Sequence, residues 1–113
     1  MKANMNIAIN GIGRIGKAVF RYLADHPDIN IKLINDINKD IKNIAYILQY
    51  DTIHGKFKHR ILVSGRNLKY NNKVIKCFNK TDIDQVDLKK EKIDLLIDAS
   101  GIEKNAKILS KKK

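Results

Sequence analysis

The sequence is short of the residues that build covalent cross-links and membrane anchors. Its single cysteine, Cys77, excludes an internal disulfide, and a lone thiol fits a reducing compartment. No apolar run approaches the roughly 20 residues that span a bilayer. The first ten residues lack the longer apolar stretch and the small-residue cleavage site of a signal peptide. We therefore expect a cytoplasmic protein with no membrane partner.

Acidic residues are also scarce. The chain has 12 Asp and Glu against 23 Lys and Arg, which gives a formal net charge of +11. This charge favours anionic partners and supports non-specific association with nucleic acid. The lysines are nevertheless spread along the whole chain, and the only run of three is residues 111–113. Such a distribution indicates solvated faces and does not favour nucleic acid as the main partner.

The first half of the chain shows two strand–helix pairs. Apolar residues make up 43% of the 113 residues, enough for one folded domain. Residues 6–10 alternate like a short strand, and residues 12–24 carry apolar side chains at the three- and four-residue spacing of an amphipathic helix. The pattern repeats with a strand over residues 29–36 and a helix that Asp40 can cap.

The second half is predicted to contain shorter strands. Residues 60–64, 67–70 and 73–78 are strand candidates, and Asn71 with Asn72 suits a tight hairpin turn. Residues 82–92 indicate a loop or a weak helix. An apolar run over residues 93–100 predicts a buried parallel strand, and another helix is expected from residue 102. This order predicts an α/β fold with helices on the faces of a mainly parallel sheet.

Three glycines follow the first strand at the spacing G-x-G-x-x-G, namely Gly11, Gly13 and Gly16. In a dinucleotide-binding loop the first glycine permits a tight turn and the second lets the backbone approach a pyrophosphate. The third lets the helix pack close to the strand, and the helix start offers N–H groups to the phosphates. Glycines with this spacing also suit a plain strand-to-helix turn.

Two charged residues help to decide between a dinucleotide-binding loop and a plain strand-to-helix turn. Asp36 ends the second predicted strand, 20 residues after Gly16, where a carboxylate accepts hydrogen bonds from an adenosine ribose. A carboxylate there repels a 2′-phosphate and so favours NAD over NADP. Asp36 could instead be a polar strand end or a helix cap. Arg14 is either a cation near the phosphates or a solvated charge on the helix.

Several segments together resemble the N-terminal half of glyceraldehyde-3-phosphate dehydrogenase. They are "INGIGRIG", "IND", "ILQYDTIHGKF" and "IDLLIDASG", which follow the family patterns I-N-G-F-G-R-I-G, N-D, K-Y-D-S-x-H-G-x-F and V-x-E-S-T-G in the same order. The match covers nearly the whole chain. Erythrose-4-phosphate dehydrogenase shares these motifs.

The resemblance implies a set of NAD-binding residues. The residues of the glycine loop would hold the pyrophosphate, with Arg14 and Ile15 in direct contact. Asn35 and Asp36 would lie beside the adenosine, with Asp36 on its ribose. Thr81 stands where the family commonly has an arginine near the adenine. The implied cofactor-binding residues are Asn10, Gly11, Gly13, Arg14, Ile15, Gly16, Asn35, Asp36, Thr81, Ser100 and Gly101.

The resemblance also implies a fold and an activity. Residues 1–113 would form a truncated Rossmann-type domain, the incomplete N-terminal half of a doubly wound sheet with two or three parallel strands and a β-hairpin insertion. The implied enzyme is a cytoplasmic, homotetrameric oxidoreductase of glycolysis. It transfers a hydride from a phosphorylated aldehyde to NAD through a cysteine thiohemiacetal.

No catalytic residue is assigned within this sequence. The family's nucleophile lies in an "S-C-T-T-N-C" segment that these residues do not contain, and Cys77 in its strand-like setting is expected to behave as a small buried hydrophobe. The three histidines, His26, His54 and His59, do not indicate a metal site. A non-catalytic module that binds a nucleotide or nucleic acid, or a non-functional remnant, stays open as an alternative.

Overall fold

A seven-stranded sheet organises the part of the chain that the computed structural model describes, residues 5–51, 55–100 and 107–110. The strand order is β3-β4-β5-β2-β1-β6-β7. The strands are β1 (Met5–Asn10), β2 (Ile29–Asn35), β3 (Leu62–Ser64), β4 (Asn67–Tyr70), β5 (Lys73–Phe78), β6 (Leu95–Asp98) and β7 (Lys107–Ser110). Four neighbouring strands, β5, β2, β1 and β6, run parallel, which confirms the predicted α/β Rossmann-type fold.

Both helices pack on one face of this sheet. They are α1 (Arg14–Leu23) and α2 (Ile41–Gln49), and Phe20 of α1 and Leu48 of α2 belong to one buried cluster. We expected helices on the faces of the sheet, and the arrangement has a simple reason. The chain steps in one direction, from β1 to β2 and on toward β5, so right-handed crossovers leave both helices on the same side.

The opposite face is covered by the segment between β5 and β6. Val86 and Ile93 pack there against Ala8, Leu33 and Leu96 in a second buried cluster. The segment was predicted as a loop or a weak helix. Its regular part is a single 3₁₀ turn over Ile83–Gln85, which Asp82 caps. Burial of its few apolar side chains, not helical periodicity, fixes its path.

A β-bulge at Lys32 lets side chains of β2 reach both buried clusters. Ile7 pairs with Ile31, but the next residue, Ala8, pairs with Leu33. The extra residue shifts the alternation of side chains along the strand. Ile31 therefore faces the helix side, and Leu33 reaches the opposite face.

The strands β3, β4 and β5 form a meander at one side of the sheet. Asn71 and Asn72 have φ values of 48° and 65° in the two-residue turn between β4 and β5, which confirms the predicted hairpin. β5 then lies parallel to β2, so the sheet has four parallel strands where two or three were expected. The chain reverses direction between β3 and β4 and again between β4 and β5, so β5 runs in the same direction as β2.

One predicted element is wrong. A helix was expected to begin at residue 102, but Lys107–Ser110 form β7, antiparallel to β6, and residues 102–106 lie outside the described ranges. A short apolar run does not distinguish helix from strand by its pattern. Pairing with the open edge of β6 satisfies backbone groups that a separate helix would leave exposed there.

Candidate functional site

Two of the three motif glycines are required by the protein itself. Gly11 follows β1 with φ +98°, and a Cβ there would lie 2.5 Å from the carbonyl oxygen of Ala99. At Gly16 a Cβ would overlap the carbonyl oxygen of Gly11. The turn out of β1 therefore passes directly against the end of β6, and α1 lies directly against that turn. These contacts agree with the roles predicted for the first and third glycines.

Gly13 differs from the other two. Its φ of −94° is accessible to any residue, and beyond its own chain neighbours a Cβ built on it has no atom of the described residues within 4 Å. It is the N-cap of α1, no side chain caps it, and the first turn of the helix has no acidic residue. The start of α1 therefore faces space that none of the described residues fills, with backbone N–H groups and the positive end of the helix dipole directed toward it.

The Asp36 carboxylate faces the glycine loop. Its Oδ1 accepts a hydrogen bond of 2.8 Å from the backbone N–H of Ile12, and its Oδ2 accepts one of 3.0 Å from that of Asn38. Asp36 is half-buried. Because a carboxylate has about four acceptor positions, these two bonds leave it able to accept hydroxyl groups as well. The pair of features predicted from spacing is thus brought together at the ends of β1 and β2.

A row of side-chain hydrogen bonds joins the carboxyl ends of the four parallel strands. Asn35, which is 1% exposed, donates to Oδ1 of Asn10 at 2.9 Å and to the carbonyl of Lys80 at 3.1 Å. It also accepts from the backbone N–H of Lys80 at 2.8 Å. Asn10 in turn donates to Oδ1 of Asp98 at 3.1 Å. Both N–H groups and the oxygen of the Asn35 amide are therefore hydrogen-bonded to protein groups.

The other predicted site residues are exposed around this edge. Arg14 and Ile15 lie at the open start of α1, and Ser100 follows β6 with its backbone N–H 3.3 Å from Oδ1 of Asp98. Thr81 is exposed, with its hydroxyl 3.2 Å from Oε1 of Gln85. Gly101 lies outside the described residues.

One residue near the site was missed by the sequence interpretation. Ile37 directly follows Asp36 and is 68% exposed, and Ile15 of the loop is 53% exposed. Ile37 therefore places an exposed apolar side chain directly beside Asp36 in the sequence. The sequence feature that could have indicated this residue is an isoleucine directly after Asp36.

Cys77 lies on β5 beside Ile34, and His26 and His59 make their hydrogen bonds with Asp28 and Asp25. Burial raises the pKa of Cys77 to about 12, which opposes a nucleophilic role. His59 Nε2 is 2.6 Å from Oδ1 of Asp25, and this hydrogen bond lowers the pKa of that carboxyl. His26 accepts a hydrogen bond from the N–H of Asp28, and His54 lies outside the described residues. Over the described ranges, no three histidine, cysteine or acidic side chains cluster as metal ligands.

Neither described helix is long and apolar enough to cross a bilayer. That finding concerns only the residues that the structure describes.

Comparison with known proteins assigns this fold and loop to a family. Residues 5–106 match the family described as "Glyceraldehyde 3-phosphate dehydrogenase, NAD binding domain". Among curated relatives, glyceraldehyde-3-phosphate dehydrogenase of Podospora anserina is 37% identical over 98 residues, which cover 87% of this chain and 29% of the relative. The Neurospora crassa enzyme is 38% identical over 98 residues, with the same two coverages. Glyceraldehyde-3-phosphate dehydrogenase 1 of Bacillus subtilis is 33% identical over 97 residues, or 86% of this chain and 29% of the relative.

The chain therefore spans about three tenths of the length of the curated relatives it matches. The region that matches the family, residues 5–106, includes the glycine loop, Asp36 and the end of β6. The chain belongs to the glyceraldehyde-3-phosphate dehydrogenase family, its matching region is that family's NAD-binding domain, and NAD is accordingly its cofactor.

Proposed function

We propose that NAD binds at the start of α1, with its pyrophosphate against Gly13 and its adenosine ribose on Asp36. The observation that carries the proposal is the open space at Gly13. Nothing in the described protein requires a glycine there, whereas Gly11 and Gly16 are each required by a close contact. A ligand that must approach the backbone gives a reason for the missing side chain.

The start of α1 supplies the groups that a pyrophosphate needs. Its first N–H groups have no side-chain cap, and no acidic residue in the first turn opposes an anion. Arg14 and Ile15 are exposed at this point, so the guanidinium of Arg14 and the backbone of both residues are available to the phosphates. The chain thus binds the anion mainly with backbone dipoles.

Asp36 would set the choice between the two nicotinamide dinucleotides. Its unused acceptor positions suit the two ribose hydroxyls of NAD, and its negative charge disfavours the 2′-phosphate of NADP. The exposed side chain of Ile37 offers an apolar surface next to it for the adenine.

The remaining predicted residues would support or border the cofactor. Asn10 and Asn35 hold the strand ends in register through their own hydrogen bonds, so we assign them a positioning role. Ser100 and Gly101 would line the path of the cofactor beyond β6. Thr81 would border the adenine side, where its short side chain cannot replace the charge of an arginine.

Bound NAD supplies a hydride acceptor. We propose that residues 1–113 act as the cofactor-binding segment of a phosphorylating glyceraldehyde-3-phosphate dehydrogenase, a cytoplasmic homotetramer of glycolysis that oxidises a phosphorylated aldehyde. This activity needs a nucleophilic cysteine and a histidine base from a catalytic domain, neither of which is assigned within these 113 residues. The chain's own part is to bind and orient the cofactor.

Thermal unfolding of the chain with NAD or NADP tests the proposal. A ligand that binds only the folded state raises the melting temperature as its concentration exceeds Kd. We expect millimolar NAD to raise the melting temperature and equal NADP to raise it less. The Asp36→Asn variant should reduce this difference. No rise with NAD, or a larger rise with NADP, would overturn the proposal.

A further inference from the structure

A small cavity lies between the start of α2 and the end of β5, and we call it the α2–β5 cavity. It is open to solvent and has a volume of about 40 Å³. Its polar lining consists of Asn38, Lys39, Arg66 and Asn79, and the other residues around it, such as Ile44, are apolar. One water molecule needs about 10–15 Å³ of such space, and sites for drug-sized ligands measure about 300–1,000 Å³. The cavity therefore suits an occupant of only a few atoms.

The fold brings the walls of this cavity together at the carboxyl edge of the sheet. The two-residue turn between β3 and β4 carries Arg66. Because the next residue, Asn67, pairs with Lys76 near the end of β5, this turn lies beside the residues that follow that strand. On the other side, Asn38 donates from Nδ2 to Oδ1 of Asn43 at 2.9 Å, which ties the loop before α2 to the helix.

The α2–β5 cavity carries positive charge without compensation. No acidic residue lines it, and within the described ranges neither Lys39 nor Arg66 pairs with a carboxylate. Lys17, Lys58 and Lys76, by contrast, are each paired with one. Two unpaired cations at one small cavity indicate an anionic occupant, which the net charge of +11 would attract from a distance.

The two acids closest to Lys39 in the sequence are engaged elsewhere. Asp40 accepts the N–H of Asn43 at 3.1 Å as the cap of α2, and both oxygens of Asp36 accept backbone N–H groups. Neither acid lines the cavity. An anion bound by Lys39 therefore does not have to displace an existing ion pair.

Asn79 adds a neutral donor to the two cations. It is half-buried at the cavity, and its side-chain amide has no hydrogen-bond partner among the described residues. A partly buried amide without a protein partner is a group that a ligand can satisfy. The guanidinium of Arg66 matches two phosphate oxygens, and the ammonium of Lys39 supplies a second charge. A phosphate group has enough oxygens and charge for all three donors, whereas a carboxylate has two oxygens and a single charge.

We propose that the α2–β5 cavity binds a phosphate group, with its oxygens on Lys39, Arg66 and Asn79. The group is either free inorganic phosphate or the phosphate of a small monoester, the rest of which stays outside because the cavity has no room for it. The site binds its anion with side chains, whereas the start of α1 offers backbone dipoles. The proposal does not depend on NAD binding at the glycine loop.

NMR of the isotopically labelled full chain tests this site. Inorganic phosphate is titrated against sodium chloride of equal ionic strength, and we expect saturable shifts at Arg66 and Asn79. The Lys39→Gln, Arg66→Gln double variant should weaken this binding at least tenfold. The matched control, Lys89→Gln with Lys90→Gln, also removes two exposed charges and should change affinity less than threefold. Phosphate bound at the start of α1 would instead shift the amides of the glycine loop.

Asn79→Ala separates hydrogen bonding from charge. It keeps every cation and should weaken phosphate binding about threefold or more, because a donor to a charged group is lost. The amide spectrum of each variant shows at the same time whether it is folded. An unchanged affinity in the folded Asn79→Ala variant would exclude the proposed arrangement.

A titration with glycerol 3-phosphate identifies the source of the phosphate group. If it shifts the same amides with at least the affinity of inorganic phosphate, the site accepts a monoester, and if it does not, the free ion fills the cavity. Acetate at the same ionic strength should bind more weakly than either. No saturable shift at Arg66 and Asn79, equal losses in the two double variants, or equal binding of acetate would each overturn the proposal.

Discussion

The carboxylate of Asp36 holds the backbone of Ile12 by a 2.8 Å hydrogen bond, although the two residues are 24 positions apart in the sequence. Ile12 lies between the first two motif glycines, so the acid at the end of β2 fixes the loop at the end of β1. The same carboxylate also receives the N–H of Asn38. The group proposed to bind the ribose therefore also shapes the loop proposed to bind the pyrophosphate.

Replacing Gly13 should separate cofactor binding from folding. Because a Cβ at this position meets no atom of the described part of the chain and φ is −94°, Gly13→Val should cost less than about 1 kcal/mol of unfolding free energy, mainly as a poorer N-cap. The side chain would fill the space proposed for the pyrophosphate, so NAD binding should weaken at least tenfold. Urea denaturation and calorimetric titration with NAD measure the two effects.

Gly16→Ala is the matched control. Its Cβ would overlap the carbonyl of Gly11, and such overpacking typically costs about 1–3 kcal/mol, more than a helical alanine recovers. We expect this variant to lose stability as well as NAD binding. If Gly13→Val were the less stable of the two, the distinction between the glycines would be wrong.

Asp36→Asn should change cofactor preference more than stability. An asparagine oxygen can still accept the N–H of Ile12, so we expect a loss of about 1–2 kcal/mol of unfolding free energy, as for one weakened charged hydrogen bond. Affinity for NAD should fall, and the ratio of NAD to NADP affinity should approach one because the repelling charge is gone. Titration with both cofactors measures the ratio, and an unchanged ratio would exclude Asp36 as the discriminating group.

Asn35→Ala should destabilise the fold by about 3 kcal/mol, because it opens a gap at a buried side chain and leaves partly buried polar groups of Asn10 and Lys80 without their partner. The half-buried Asn79 serves as a control, since no hydrogen bond of its side chain was found within the described residues, and Asn79→Ala should cost less than 1 kcal/mol. Chemical denaturation of the two variants compares these costs. Similar stabilities would contradict the supporting role of the amide row.

Cys77 should be unreactive and should make stability fall at alkaline pH. With a pKa of about 12, the folded thiol is ionised in only about one molecule in 10,000 at pH 8, so a disulfide reagent should label it slowly until the chain unfolds. Because the pKa is raised on folding, this contribution is complete below the unfolded value of about 9 and declines as the pH rises toward 12. Between pH 8 and 10 the loss should be about 1 kcal/mol.

Comparing the unfolding free energies of wild type and Cys77→Ala over that interval isolates the thiol, since only their pH slopes are compared. Tyr70, whose phenol pKa burial raises from 10 to about 12, contributes mainly above pH 10 and equally in both proteins, so it cancels from the comparison. Rapid labelling of the folded chain, or identical slopes for the two proteins, would show that the thiol is not held protonated.

Local sequence determined much of the fold. Alternation predicted β1 and β2, helical spacing predicted α1 and α2, and Asn71–Asn72 predicted the hairpin turn, because each signal arises from backbone preferences within a few residues. The glycine spacing and the acid at position 36 also predicted which residues would meet. These features need no knowledge of distant contacts.

Tertiary structure decided what local patterns could not. Residues 107–110 pair with β6 as a strand because an open sheet edge competes successfully with a weak helical preference. The hold of Gln49 on a segment about ten residues further along the chain, and the distinction between Gly13 and the other two motif glycines, required knowing which atoms surround each residue. The sequence by itself determined where the elements and motif residues lie, whereas their burial, their partners and the spaces left between them arise only when distant segments pack together.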